Sequence, residues 1–210
     1  GATFFGNCCR RSYDVDYTID APYASLSWEA GDLIVDGSLR YDNGSAQGTY
    51  ADGIVTTRDI SGDGAIQTPE TLVSQIDFAN TRPVDYTWDY WSYSVGANYR
   101  VNEDVSVFGR ASRGGRANAD RLLFGPGVLL SGAIASDDVA VDMVDQYEAG
   151  VRYRGGPVQL FATAFFAKTE ETNFEATSQT FTDAEYESRG IEIEGLFRSG
   201  GFDLNGGVTW

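Results

Sequence analysis

The sequence predicts an all-β protein, an antiparallel up-and-down transmembrane β-barrel segment of about eight strands. Three observations carry that expectation. Apolar and polar residues alternate with period two along eight stretches. The stretches fall into four hairpins with tight links. The connections run short, long, short, long and so on to a final short one. In an antiparallel sheet every second connection falls on the same edge. All short turns therefore gather on one side and all long loops on the other, as in barrels with short periplasmic turns and long extracellular loops. A soluble sandwich shows that asymmetry only by chance.

Residues 1–20 hold no clear period, and Asp14, Asp16 and Asp20 read as an extracellular loop region. The first hairpin spans about 21–42, with Ala24, Leu26 and Trp28, then Val35, Leu39 and Tyr41, on one face. A connection over about 43–84 follows, far longer than the usual hairpin link of about 2 to 5 residues. The second hairpin, about 85–113, places Trp91, Tyr93, Val95, Ala97 and Tyr99 opposite Val105, Val107 and Ala111. After a loop at about 114–143 comes the third, about 144–169. Here Tyr147, Ala149, Val151 and Tyr153 alternate with charges, and Gly155-Gly156 suits a primed turn with positive φ at both residues. A link at about 170–184 leads to the fourth hairpin, about 185–210. With short turns in the periplasm, both chain ends lie on the extracellular side. That parity marks a piece of a larger barrel and places Trp210 in mid-strand. Gly1 is neither a start Met nor the head of a signal peptide, so the sequence reads as a mature or trimmed product.

Composition excludes several classes of function. There is no run of 18 apolar residues, which excludes a helical membrane span but not a strand-built one. The 31 acidic against 15 basic residues argue against nucleic acid as a partner. Histidine is absent, so a Ser-His-Asp relay and a His-ligated metal site are impossible. Cys8 and Cys9 are adjacent, with Cα atoms about 3.8 Å apart, short of the usual disulfide span.

The first long loop carries the sharpest motif. From Asp59 to Glu70, side-chain oxygens at relative positions 1, 3, 5, 9 and 12 belong to Asp59, Ser61, Asp63, Gln67 and Glu70. Gly64 takes the sharp-turn position and Ala65 offers its carbonyl, the pattern of a calcium loop. With three charged ligands the affinity expected for Ca2+ is weak, roughly 10⁻⁴ to 10⁻³ M. The other reading is an Asp/Gly-rich turn without an ion. Thr68-Pro69 then reads as the start of a short amphipathic helix bearing Leu72, Ile76 and Ala79. Tyr86, Trp88 and Tyr90 fall on the face opposite Trp91 and Tyr93, towards the lumen mouth. There they either stack on a substrate or pack as ordinary wall. Arg110, Arg113, Arg116 and Arg121 cluster, and Arg113 and Arg116 are candidates to meet an anionic substrate, to pair with wall carboxylates or to meet lipid phosphates.

Three stretches together resemble the barrel of TonB-dependent outer-membrane receptors: VSVFGRASRGGRA (105–117), YEAGVRYR (147–154) with FATAFFAK (161–168), and SRGIEIEG (188–195). LIVDGSLRYD (33–42) fits an earlier hairpin of the same family. Asn118 stands where that family often has Pro after Arg-Ala. The resemblance implies a 22-stranded barrel in the outer membrane of a Gram-negative bacterium, filled by a plug that these residues do not contain. It implies no catalysis. It implies active import of a small scarce nutrient, such as a ferric siderophore, vitamin B12 or an oligosaccharide, with energy passed from the TonB complex through the plug. Outer-membrane lipid would surround the wall. The alternatives are a passive outer-membrane porin and a soluble calcium-binding β module of a secreted protein.

Overall fold

A computed structural model describes residues 10–124, 127–175 and 180–210. Cys8 and Cys9 lie outside the described residues. One antiparallel sheet dominates, built from β1 (Ser12–Asp20), β2 (Tyr23–Ala30), β3 (Leu33–Ala51), β6 (Arg82–Arg100), β7 (Val105–Ala117), β8 (Val141–Gly155), β9 (Val158–Glu175), β10 (Thr180–Ser199) and β11 (Phe202–Thr209). Its order is β1-β3-β6-β7-β8-β9-β10-β11, with β2 also on β3. A second small sheet pairs β4 (Gly53–Thr56) with β5 (Val73–Ile76). No described helix is long and apolar enough to cross a membrane, which says nothing of strands.

The sheet corrects the reading of the first 20 residues. Asp20 lies opposite Asn43 and Tyr23 opposite Arg40, so β1 and β2 meet β3 in one unbroken register. They are a single strand interrupted at Ala21 and Pro22, where Pro22 cannot donate but its carbonyl accepts from Tyr41 N at 3.0 Å. The wall thus has eight strands, and the sheet stays open between its two edges among the described residues. Each strand also runs further into the long connections than the alternation suggested. β3 continues to Ala51, β6 starts at Arg82, β9 reaches Glu175 and β10 starts at Thr180.

Two local expectations change as well. The helix expected over Leu72, Ile76 and Ala79 is one 3-10 turn, Thr68–Leu72, after which the chain turns into β5. β-branched Val73 and Ile76 prefer the pleat, and β4 offers them a partner. The third hairpin turns on Gly156 and Pro157, with only Gly156 at positive φ (+55°), because proline holds its own φ near −65°. The Gly200-Gly201 turn does take positive φ at both residues (+57° and +85°).

Register assigns the faces. In the lower part, next to the short turns, one face carries Leu26, Trp28, Val35, Leu39, Trp91, Tyr93, Val95, Tyr99, Val107, Tyr147, Val151, Leu160, Ile191, Ile193, Leu204 and Val208. All of them are exposed except Val35, which is half-buried. From Trp91 to Tyr99 this band is about 27 Å long along the strand, which with tilt matches the apolar belt of about 25 Å on transmembrane barrels. The opposite face is polar, with Asp36, Ser94, Arg110, Glu148, Arg152 and Glu192. Arg110 crosses β6 to reach Asp36 Oδ2 at 2.8 Å and Ser94 Oγ at 2.6 Å.

Rings on this inner face lie over glycines in directly opposed pairs: Trp88 on Gly44, Phe108 on Gly150 and Phe165 on Gly190. A Cβ at Gly44 would come within 2.3 Å of the Trp88 ring. Each glycine lets a large ring flatten against the wall rather than project into the lumen.

Candidate functional site

Above the exposed band the faces exchange character. On β6 the inner residues become Val84, Tyr86, Trp88 and Tyr90, and the outer ones Asp85, Thr87 and Asp89. The inner rows of β1 and β3 follow with Val15, Tyr17, Ala46 and Tyr50, while Asp14, Asp16, Asn43, Ser45 and Gln47 face outwards. Gln47 Nε2 and Asp85 Oδ1 meet at 3.5 Å on that outer face.

The inner apolar surface is covered by the segment that joins β7 to β8. Its Leu122, Leu123, Val128, Val139 and Ala140 form one buried cluster with Ala46, Tyr50, Val84, Tyr86 and Trp88. Ala46 is 0% exposed and Trp88 5%, against 52% for Trp91 a few residues away on the same strand. The Tyr86 hydroxyl donates to Ala119 O at 2.9 Å, Asp85 N donates to Gly132 O at 2.9 Å, and Arg11 donates to Leu123 O at 3.0 Å. Tyr86 and Trp88 are therefore packed, closed to stacking on a substrate. Tyr90 is half-buried over Gly115, where a Cβ would fall 2.6 Å from its ring.

The arginine cluster is divided by the register. Arg113 stands opposite Tyr93 and Asp145, on the outer face, and its Nη1 lies 2.9 Å from Asp145 Oδ2. Its charge is met by that carboxylate. Arg116 pairs with Asp142 at 2.7 Å and Glu171 at 3.3 Å, and Arg121 lies 3.8 Å from Glu171. These cations are neutralised by wall carboxylates. Asp142 is 5% exposed and also accepts from Asn118 Nδ2 at 3.0 Å and from Thr172 N at 3.1 Å. Nothing local in the sequence marked it, because its partners come from distant strands.

In the Asp59–Glu70 loop the acidic side chains already have donors. Asp59 accepts from Gly62 N at 2.6 Å, Gly64 N at 2.8 Å and Ser61 Oγ at 3.2 Å. Asp63 accepts from Ala65 N and Gln67 Nε2, both at 2.9 Å. Glu70 accepts from Ile60 N, Ser61 N and Gln67 N, each at 2.9 Å. Gly64 takes φ +81°, as the sharp turn requires. These hydrogen bonds to the charged form lower all three carboxyl pKa values. The Gly64 amide leads at Asp59, the Ala65 amide at Asp63 and the Gln67 amide at Glu70. Glu70 is almost inaccessible to solvent, and desolvation raises its pKa by less than either the Gln67 or the Ser61 amide lowers it. Among the described residues no three acidic, Cys or His side chains converge as a metal site.

A family model described as "TonB dependent receptor-like, beta-barrel" matches residues 1–210. No curated protein sequence matches the chain. Among solved structures, the chain is similar to the ferric yersiniabactin uptake receptor FyuA from Yersinia pestis, with 18% identity and TM-score 0.62 over 95% of this chain and 27% of that one. It is also similar to the ferric-catecholate import receptor Fiu of E. coli, with 16% identity and TM-score 0.60 over 94% and 29%. A third is a double mutant of the Serratia marcescens hemophore receptor HasR in complex with its hemophore HasA and heme, with 15% identity and TM-score 0.59 over 92% and 33%. At these identities the likeness is one of fold, and the chain spans about a quarter to a third of those structures.

Proposed function

The chain belongs to the TonB-dependent receptor-like β-barrel family, a family of Gram-negative outer-membrane transporters rather than enzymes, and from that premise we propose that it forms part of the wall of an active importer. The cargo is a small scarce nutrient: a ferric siderophore or other metal chelate, vitamin B12 or an oligosaccharide. Energy comes from the TonB complex through a part of the receptor beyond these residues. The exposed apolar band faces lipid and the polar inner face lines the transport lumen.

The observation that carries this reading is the family match over the full 210 residues. The uptake and import receptors among the similar structures agree with it. The test is growth and labelled-cargo uptake by cells with and without the intact receptor, across ferric chelates, cobalamin and oligosaccharides. Import of one class is expected to vanish on deletion and on loss of the TonB complex. Uptake that survives loss of the TonB complex but needs the receptor would make it a passive pore.

We further propose that the Asp59–Glu70 loop takes Ca2+ weakly, in the range of roughly 10⁻⁴ to 10⁻³ M. Support comes from the residue order and from Gly64, whose turn wraps the chain around Asp59. Binding would use Asp59, Ser61, Asp63, Gln67 and Glu70 with the Ala65 carbonyl, and would compete with the amides that these carboxylates now hold. Calorimetry should show heat of calcium binding that Asp59→Ala with Glu70→Ala abolishes; identical heats in both proteins would end this reading.

A further inference from the structure

We infer that Asn118 is a positioning residue that seats segment 118–140 in the upper wall, so that cargo entering the receptor meets a preformed surface. Asn118 is 4% exposed and closes the base of the segment. Its backbone N donates to Ala140 O at 2.8 Å, and its side-chain Nδ2 donates to Val139 O at 3.1 Å and Asp142 Oδ1 at 3.0 Å. One residue thus stitches both ends of the segment together and ties them to β8. Asp142 in turn accepts from Thr172 N of β9 at 3.1 Å and from Arg116 of β7 at 2.7 Å.

The next residue shows that this geometry is imposed. Ala119 is the one non-glycine at positive φ among the described residues, at +37°. Such a conformation is strained for a residue with a Cβ and persists only where the surroundings over-determine it. Here they do so through the Asn118 stitch on one side and the Tyr86 hydroxyl on the other. Proline at position 118 would lack the N–H that reaches Ala140 and the amide that reaches Asp142. The stitch is therefore a property of this chain's asparagine. Its consequence for cargo rests on the importer reading, but the seating itself does not.

Hydrogen exchange on the intact receptor in lipid nanodiscs, without cargo, separates the two. In the unaltered protein the amides of residues 119–123 and 127–140 should be protected. Asn118→Pro should speed their exchange about tenfold or more, the factor for one net hydrogen bond at the upper end of its usual range. Protection of residues 93–99 should not change. A second variant serves if that one fails to assemble. Asn118→Asp sets a carboxylate against Asp142, and two carboxylates at that distance share a proton. The charged groups around the pair are Arg116 of β7, Arg121 of the segment, Glu171 of β9 and, through Thr172, Asp183 of β10.

Sharing raises the pair's pKa in the seated state, so seating is retained at low pH and lost as pH rises through that raised value. Protection in Asn118→Asp should accordingly recover on acidification from about pH 8 to about pH 5, within the range of a raised carboxyl. The unaltered protein should show no such recovery. Asn118→Asp combined with Asp142→Asn reverses donor and acceptor and should restore part of the protection at pH 8. Exchange of the unaltered segment at unstructured rates would overturn the inference. So would a pH-independent Asn118→Asp, or a double variant no better than the single one. A receptor that keeps this exchange behaviour yet imports nothing would overturn the importer reading alone.

Discussion

The two halves of β6 use the same alternation for opposite purposes. From Trp91 to Tyr99 the odd positions are apolar and exposed, and the even ones, Ser92, Ser94, Gly96 and Asn98, line a polar interior. From Val84 to Tyr90 the even positions are apolar and packed, and the odd ones, Asp85, Thr87 and Asp89, are exposed. β1/β2 and β3 switch at the same level. Charge follows the switch: segments 10–20, 43–90, 112–146 and 167–188 hold 21 of the 31 acidic residues. The sheet therefore meets two surroundings. Its lower outer face has only apolar contacts to offer, whereas its upper outer face is built for water, and the apolar surface there turns inward to hold segment 118–140.

The contrast can be broken from the upper side first. Trp88→Ala removes a ring buried over Gly44 and should cost about 3–5 kcal/mol of folding free energy, measured by denaturant titration in lipid. The same change at exposed Trp91 should cost less, because that ring leaves no internal cavity. A charge probes the lower side. Val95→Arg, in the middle of the exposed band, should cost about 2–4 kcal/mol if that face lies in lipid. Thr87→Arg, outward on the same strand but above the band, should stay within about 0.5 kcal/mol. Equal costs at the two sites would remove the distinction.

The smallest effect concerns the Asp59–Glu70 loop. Its three carboxyl groups have lowered pKa values in the folded state. Their contribution is present above the unfolded values of about 4 and lost as pH falls through the lower folded values. Amides of residues 60–67 should lose exchange protection below about pH 4 while the strands keep theirs.

These regions also differ in how far the sequence exposed them. The lower hairpins were legible because a wall between an apolar and a polar surrounding demands strict alternation, and links as short as Gly200-Gly201 fix the register locally. Tyr13, Val15, Tyr17 and Ile19 alternate just as cleanly, but their partners Asp14, Asp16 and Asp20 and the break at Pro22 resembled a loop. The apolar side there also belongs to the opposite face from that of Leu26 and Trp28. The spacing of Leu72 and Ile76 fits a helix locally, and only β4, about twenty residues earlier, decides for a strand. The seat of segment 118–140 is the least local feature, since Tyr86, Asn118, Asp142 and Thr172 come from different elements. Asn118 was visible as a departure from the family's usual proline. What it does there depended on partners more than twenty residues away.

The most direct test of the exchanged faces is a nitroxide scan of residues 84–99, one cysteine at a time, in a Cys8→Ser, Cys9→Ser background in lipid vesicles. Odd positions from 91 to 99 should be open to oxygen and closed to an aqueous nickel chelate. Odd positions from 85 to 89 should be open to the chelate, and even positions from 84 to 90 closed to both. A single unbroken phase of accessibility from 84 to 99 would contradict the account.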